Sequence, residues 1–372
     1  DVYKRQPYMS VKQKGKSDNE SANASMSVRT GRECFRALSM PEAVTLASGV
    51  YRVRASVPSG SKATADMVQT DEAFWTIFSF HFLSGEAFTK ADCDAGLTRA
   101  VLDATTARKL FGTTDAVGRT VQLDYVDYTV AGVVADVSML ATAAYAQIWV
   151  PYTAAGADAM SWRDDTMGPM HAIILARSSA DFDAIREETE LLRKKYNDGL
   201  QDVDVFYRGQ PDTQLAYLYR RWYAEPDVPG VMLRYAIVVI ILLLVPAVNL
   251  SGMTLSRMRR RMAEIGVRKA FGATGGELMR QVFFENLVLT LLAGIVGLAL
   301  SYVATFALNG FLFSNSMNAS LSGETALTPG MLLSPWAFIA AFAFCLLMNI
   351  LSAGIPAWRA SRMNITDAIN QR

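Results

Sequence analysis

Three long runs without charged residues most constrain the fold of this chain. Each contains the roughly 20 mainly apolar residues that a membrane-spanning helix needs. Hydrophobic residues make up 51% of the 372 positions, and most of the long apolar stretches follow Gly230. We therefore predict transmembrane helices at 231–256, 281–313 and 335–356 rather than buried helices of a soluble core. The uncharged runs are Tyr235–Ser256, Asn286–Gly323 and Thr325–Trp358.

The charges beside these runs predict the orientation of the chain, because Lys and Arg gather on the cytoplasmic side. Segment 257–280 is strongly basic, and the tail 357–372 is basic too, so both are expected in the cytoplasm. Loop 314–334 contains no Lys or Arg and is expected outside, together with residues 1–230. The basic residues of the cytoplasmic segment are Arg257, Arg259, Arg260, Arg261, Arg268, Lys269 and Arg280.

A domain outside the membrane needs a route across it, yet no apolar run precedes Val231. We infer that a fourth, N-terminal span is missing from this sequence. The predicted fold class is an α+β extracytoplasmic domain joined to an α-helical transmembrane bundle, with three spans present.

The outer domain is predicted to cover 31–230, after a loose polar lead-in at 1–30. Its boundary is the Pro- and Gly-rich EPDVPG at Glu225–Gly230. A charged amphipathic helix is predicted at Asp181–Tyr196. The remaining elements alternate along the chain, with no series of parallel βαβ units. They are strands in AVTLASGVYRVRASV, ATADMVQT, IWVPY and HAIILARS; a helix or turn over DEAFWTIFSFHFLSG that ends at Gly85; a strand at Leu97–Leu102 running into a helix that stops at Gly112; and a hairpin in TVQLDYVDYTVAGVVADV.

Candidate chemistry in this domain is sparse. His81 and His171 lie far apart and are interpreted as structural residues rather than metal ligands. The acidic pairs Asp71–Glu72 and Asp164–Asp165 are interpreted as solvated loop residues. An aromatic cluster is expected to pack a core or a junction between subdomains rather than to bind a ligand. The cluster consists of Phe74, Trp75, Phe78, Phe80 and Phe82.

Cys34 and Cys93 lie in the outer domain, where a disulfide can form, although two unpaired thiols are the preferred interpretation. No nucleophile–base arrangement and no G-x-x-x-x-G-K-[ST] phosphate loop occurs, so we do not expect this chain to be an enzyme. The formal net charge of +1 gives no argument for nucleic-acid binding.

The cytoplasmic segment predicts a helix, a stop and a second helix. Ser256–Phe271 forms an amphipathic pattern, and Gly272 is suited to end it, because glycine readily takes the left-handed cap conformation. Thr274 and Glu277 have the spacing of a capping box that starts the next helix. Composition alone favours a basic helix resting on anionic lipid head groups.

The motif EIGVRKAFGA resembles the signature of the FtsX-like permease family, roughly E-I-G-[IV]-R-[RK]-A-[LF]-G-A. The tail PAWRASRMNITDAI is similar to the family's closing pattern, P-A-x-x-A-x-x-x-[DN]-P-x-E-A. It departs at Ile365, where Pro is usual, and at Asp367, where Glu is usual. The matching residues are Glu264 to Ala273 in the signature, and Pro356, Ala357, Ala360, Asn364 and Ala368 in the tail.

The outer domain resembles the MacB-like periplasmic core domain. The family pattern has F-x-x-G-R-x-F before a strand, A-x-x-L-F-G at a helix end, a P-[IV]-G-[KR] turn and a V-x-G-V-V strand. Ala116 stands where Pro is usual in the turn. The matching residues are Ala107, Leu110, Phe111, Gly112, Gly118, Arg119, Gly132 and Val133.

Together these resemblances imply a permease subunit of an ABC transporter of the MacB/LolE/FtsX type, with 231–372 as the permease domain. They imply four spans in the inner membrane of a bacterium, and an ATPase partner that binds ATP and Mg, as a separate subunit or a fused domain. They further suggest a second permease copy and a periplasmic adaptor or outer-membrane component. The residues expected to contact the ATPase are Glu264, Ile265, Gly266, Arg268, Lys269 and Gly272, with Thr274 and Glu277 starting the next helix.

Two other functions fit the same sequence. An FtsX-like regulator would activate an extracytoplasmic cell-wall hydrolase without transporting anything. A membrane-anchored sensor would have no ATPase partner. The sequence does not name a substrate.

Overall fold

The computed structural model describes residues 3–6, 9–17, 20–58, 60–139, 141–220, 224–242, 244, 267–268, 271–307, 336 and 339–348. Within these, the chain divides into two units, the first ending at Val228 and the second beginning at Pro229. The first unit is α+β, and the described part of the second is helical.

Six strands of the first unit pair in a closed ring. They pair in the order β10–β8–β11–β6–β5–β9, and β9 pairs back to β10. Alternate residues of all six strands form one buried cluster inside the ring, as the two-residue period of strands requires. Closure leaves no open edge among these strands. The strands are β5 Tyr51–Ser56, β6 Lys62–Thr70, β8 Arg99–Asp103, β9 Thr120–Leu123, β10 Val126–Val134 and β11 Ile148–Pro151.

The ring is a mixed sheet. β8 pairs with β10 in parallel, and β6 pairs with β11 in parallel, whereas its other pairings are antiparallel. The predicted hairpin is confirmed as β9 and β10. The predicted strand and helix before Gly112 are confirmed as β8 and helix α4 (Ala104–Phe111), which ends at Gly112 with φ +74°.

A second lobe contains two smaller sheets and a long helix, α5 (Phe182–Asp198), which covers the predicted amphipathic helix. The first sheet has the order β14–β1–β12–β4, and the second the order β13–β2–β3. Their facing residues and α5 share one buried cluster. The strands are β1 Tyr3–Gln6, β2 Met9–Gln13, β3 Ala22–Ala24, β4 Ala43–Ser48, β12 Met170–Leu175, β13 Val203–Phe206 and β14 Asp212–Thr213.

The interpretation of residues 1–30 as a loose lead-in is wrong. β1 pairs with β12, and β2 pairs with β13, so this segment is part of both sheets of the second lobe. Met9 and Val11 are 1% and 0% exposed. Ser10 between them is also 1% exposed, so β2 is buried on both faces at its start, which a composition average over the segment conceals.

The aromatic cluster is confirmed as packing. Helix α2 (Phe74–Ile77) and strand β7 (Phe82–Gly85) replace the single helix or turn predicted there. The Trp75 ring lies 4.9 Å from Phe80 and 6.0 Å from Trp149, centre to centre. The buried cluster around these aromatic side chains includes residues of the six strands in the closed sheet. It also includes Ala47 and Ile173 from the four-stranded sheet. The aromatic side chains therefore join the two lobes.

Cys34 and Cys93 are unpaired and buried, in two different core clusters. Burial raises the pKa of both thiols to about 12. Because the thiolate is the reactive form, both cysteines are suited to packing rather than to chemistry.

The interpretation of Asp71–Glu72 as a solvated pair is wrong. Asp71 is 1% exposed and accepts hydrogen bonds from the Thr45 hydroxyl at 2.6 Å and the Leu46 amide at 3.1 Å. Arg36 lies 3.5 Å from Asp71 and 2.7 Å from Glu72. Asp71 therefore satisfies a backbone and a side-chain group of β4 that would otherwise be buried without partners.

This buried carboxyl predicts a pH dependence of stability. Burial raises the pKa of Asp71 from 3.8 to about 6, against the opposing effects of Arg36, Thr45 and Leu46. A raised folded-state pKa means that the folded form binds more protons, so this contribution is complete below pH 3.8 and is lost as pH rises through about 6. At about 1.4 kcal/mol per pKa unit, the change is on the order of 3 kcal/mol.

Urea unfolding of the outer domain between pH 4 and pH 7.5 measures this contribution of Asp71 to stability. The difference in unfolding free energy between the native sequence and Asp71→Asn should fall as pH rises. Asp103, whose pKa burial also raises to about 6, is unchanged in both proteins and cancels in this comparison. A difference that is constant across the range would contradict the assignment.

Candidate functional site

The described part of the predicted cytoplasmic segment begins with a helical turn at Val267 and Arg268. The Phe271 amide donates to the Val267 carbonyl at 3.1 Å, and the Ala273 amide donates to the Arg268 carbonyl at 3.0 Å. Gly272 has φ +92°, a left-handed conformation that L side chains rarely adopt. The helical turn therefore ends at this glycine.

A second helix, α8 (Gly275–Ala307), begins three residues later. The Thr274 amide donates to Glu277 Oε2 at 2.9 Å, and the Glu277 amide donates to Thr274 Oγ1 at 3.3 Å. These two reciprocal bonds satisfy amide groups that a helix start leaves without intrahelical partners. The bonds from Thr274 also lower the pKa of Glu277, so the carboxylate that holds this cap is ionised at neutral pH.

Arg268 is tied to the second helix. Its Nη1 donates to Gln281 Oε1 at 2.6 Å, and Gln281 Nε2 donates to Glu285 Oε1 at 3.2 Å. A chain of side-chain hydrogen bonds thus runs from the helical turn along the first turns of α8. With the Gly272 stop and the Thr274–Glu277 cap, it links the two helical segments through a short defined connection.

Two residues here were not among the predicted site residues. Phe271 is 89% exposed beside the stop glycine, and it occupies the [LF] position of the family signature, which was available as a signal. Gln281 lies 13 positions after Arg268, and nothing in its sequence spacing indicates this contact.

The structure describes Arg268, Gly272, Thr274 and Glu277 and brings them together within one connection. The other residues expected to contact the ATPase lie outside the described residues. They are Glu264, Ile265, Gly266 and Lys269.

α8 contains a stretch long and apolar enough to cross a membrane. Leu287–Ala304 has a mean hydropathy of 2.3, and 6% of it is buried. Two shorter apolar helices are described, α7 (Val228–Leu242) and α9 (Ile339–Met348). Most of predicted span 281–313 is therefore a single helix. Spans 231–256 and 335–356 are described in part, and loop 314–334 and tail 357–372 lie outside the described residues.

Among the described residues, no group of three or more His, Cys, Asp or Glu side chains could hold a metal ion. His171 lies on β12, whereas His81 lies just before β7, a strand of a different sheet. Asp164 and Asp165 lie in a loop with φ +54° and +57°. The candidate site is therefore the hydrogen-bonded connection at the start of α8.

Comparison with protein families gives two matches along the chain. Residues 8–192 match the MacB-like periplasmic core domain, and residues 236–365 match the FtsX-like permease C-terminal domain. The first match lies in the α+β unit, and the second includes α8 and α9.

The chain is also similar to curated transport proteins. It is 26% identical over 309 residues to the macrolide export ATP-binding/permease protein MacB of Chromobacterium violaceum, covering 82% of this chain and 43% of that protein. It is 27% identical over 299 residues to the pyoverdine export ATP-binding/permease protein PvdT of Pseudomonas aeruginosa, covering 80% and 41%. The chain therefore spans less than half the length of these relatives.

Solved structures of outer domains are also matched. The periplasmic region of MacB from Actinobacillus actinomycetemcomitans is 17% identical, with 54% of this chain and 88% of that chain covered and a TM-score of 0.39. The extracellular domain of the transporter YknZ is 16% identical, with 54% and 99% covered and a TM-score of 0.38.

Proposed function

Because the chain belongs to the FtsX-like ABC permeases that carry a MacB-like periplasmic core domain, we propose that it transmits ATP-driven motion across a bacterial inner membrane. In this proposal an ATPase in the cytoplasm moves the basic segment, the spans follow, and the α+β unit does work outside. The chain is then a multi-pass membrane protein with residues 1–230 outside.

The observation that carries this proposal is the short, hydrogen-bonded connection between the basic segment and α8. A movement of one helix is transmitted to the next when the residues that connect them have little backbone freedom. Here Gly272 ends one helical segment, and Thr274, two residues later, caps the start of the next with both capping bonds made. A displacement of the turn at Arg268 would therefore move the apolar helix directly.

ATP hydrolysis is assigned to a separate ATPase subunit or to a fused ATPase domain, because residues 1–372 contain no phosphate loop. The names of the curated relatives combine ATP-binding and permease functions. We propose that ATP and Mg bind to an ABC ATPase that is either a separate subunit or a fused domain. A second permease copy and a periplasmic adaptor or outer-membrane component belong to the same proposal.

Export is preferred over activation of a cell-wall hydrolase, since the relatives that this chain resembles are named as exporters of macrolides or pyoverdine. The names of these relatives give two different compounds, so we propose export or extraction without naming a substrate.

Reversing the charge of the basic segment tests the proposal. In the double variant Arg268→Glu/Lys269→Glu, we expect ATPase stimulation by the permease to fall to the level of the isolated ATPase. Losing charge pairs that are buried at a partner surface costs roughly 2–5 kcal/mol, enough to weaken binding by thirtyfold or more. The measurements are ATP hydrolysis by the reconstituted complex and, where the ATPase is a separate subunit, co-purification.

The matched control is Arg234→Glu, which reverses an exposed charge on α7. This residue donates to the Gly230 carbonyl at 3.1 Å and lies on the side of the membrane expected to face away from the ATPase. Stimulation should be preserved in this control. Unchanged coupling in the double variant would exclude docking through Arg268 and Lys269.

A further inference from the structure

Helix α6 (Gln214–Tyr219), the last helix before α7 in the described chain, turns two leucines outward. Leu215 and Leu218 are 44% and 60% exposed. Residues three apart lie on the same face of a helix, so the two side chains form one small apolar surface. We call this surface the leucine face.

The leucine face is exposed on a firmly held helix. Thr213 accepts from the Ala216 amide at 3.2 Å and caps the helix start. Just past the helix end, Arg220 forms two hydrogen bonds with Asp212, and both side chains are buried. Arg220 also donates to the Ala224 carbonyl at 2.9 Å. The two leucines are therefore exposed on a helix that hydrogen bonds hold at both ends.

Few residues separate α6 from the apolar helix that follows it in the sequence. α7 begins at Val228, nine residues after Tyr219. A fully extended chain covers at most about 3.6 Å per residue, which limits the path to roughly 32 Å. The intervening sequence includes Arg221, Trp222 and Tyr223, and Trp and Tyr are enriched where membrane meets water.

We propose that the leucine face of α6 rests in the head-group region of the outer leaflet of the bilayer. The inference rests on the proposed function, which places α7 and α8 in a membrane. A stable protein interface buries roughly 800 Å² on each partner, far more than two leucine side chains present. A lipid surface accepts so small an apolar face because α7 already holds the chain beside it.

Lipid-side quenching of a fluorescent label tests this contact in the full-length protein. Cys34 and Cys93 are buried, whereas Cys345 is exposed, so Cys345→Ala provides the background. An environment-sensitive label is attached to Leu218→Cys, and the protein is reconstituted in vesicles with brominated phosphatidylcholine. We expect at least twofold stronger quenching at position 218 than at Leu191→Cys, a 65% exposed position on α5.

A label at Ile295→Cys on α8, 62% exposed, separates the two ways in which the experiment can fail. If position 295 is quenched and position 218 behaves like position 191, the leucine-face contact is excluded while the membrane placement stands. If position 295 is not quenched either, the membrane placement itself is excluded, and the inference falls with it.

Discussion

Replacing Arg220 by methionine is expected to lower the unfolding free energy of the outer domain by about 3–5 kcal/mol, since it leaves a buried carboxylate unpaired. The Arg220 and Asp212 side chains are 2% and 4% exposed. Arg220 Nη2 donates to Asp212 Oδ1 at 2.7 Å and also to the Arg208 carbonyl at 3.2 Å. Methionine fills much of the same volume but satisfies none of these acceptors.

Urea unfolding of residues 1–228, followed by tryptophan fluorescence, measures this effect. This unit contains three buried clusters of its own. The double variant Asp212→Leu/Arg220→Met should recover most of the loss, because replacing both charges removes the unpaired one. Arg186→Met breaks an exposed pair with Asp183, whose side chains are 42% and 91% exposed, and should cost at most about 1 kcal/mol.

Equal effects of Arg220→Met and Arg186→Met would contradict the assignment of a buried pair. If Arg220→Met destabilises as expected, it also loosens the segment that carries α6. The quenching experiment on the leucine face should therefore be performed with this pair intact.

Local elements of the outer domain were predictable, because their signals lie within a few residues. Alternation of apolar residues predicted β9 and β10, and Gly112 marked the end of α4. Closure of the ring was not predictable. It depends on the parallel pairs β8–β10 and β6–β11, whose strands are separated by other elements along the chain and carry no short-range signal.

Two predictions for the outer domain were wrong, because the sequence around these residues does not show that they are buried. Among its described residues, the polar lead-in contains four buried apolar residues, Met9, Val11, Met26 and Val28. Four positions are too few to change the average character of a 30-residue segment. Asp71 follows a strand, as a loop residue would, but its carboxylate bonds to β4 in the other lobe. Burial of a charge that depends on a distant partner leaves no local pattern.

In the candidate site, too, the local features were predictable and the contacts between distant residues were not. The helix end at Gly272 and the helix start at Thr274–Glu277 could be predicted, because each depends on a few neighbouring residues. The bond between Arg268 and Gln281 joins two helical segments across the stop, so it depends on the angle between them. The role of the segment in contacting an ATPase stays a prediction, since four of its six contact residues lie outside the described residues.

Gly85 and Gly132 stand at the glycine positions of the F-x-x-G-R-x-F and V-x-G-V-V patterns that this chain resembles. They are paired directly across β7 and β10. A β-carbon at Gly85 would lie 2.2 Å from the Ala131 carbonyl oxygen, and one at Gly132 would lie 2.6 Å from the Glu86 carbonyl oxygen. The two backbones approach too closely for any side chain, so β7 can join β10 only through glycine.

Gly85→Ala is therefore expected to lower the unfolding free energy of residues 1–228 by roughly 2–5 kcal/mol. Its φ of +65° costs an L residue about 1–2 kcal/mol, and overpacking against the backbone adds about 1–3 kcal/mol. Gly96→Ala is the matched control, because Gly96 has φ +61° and nothing within 4 Å of its β-carbon position. It should show the conformational cost alone, so equal losses in the two variants would rule out the steric contact as the reason for Gly85.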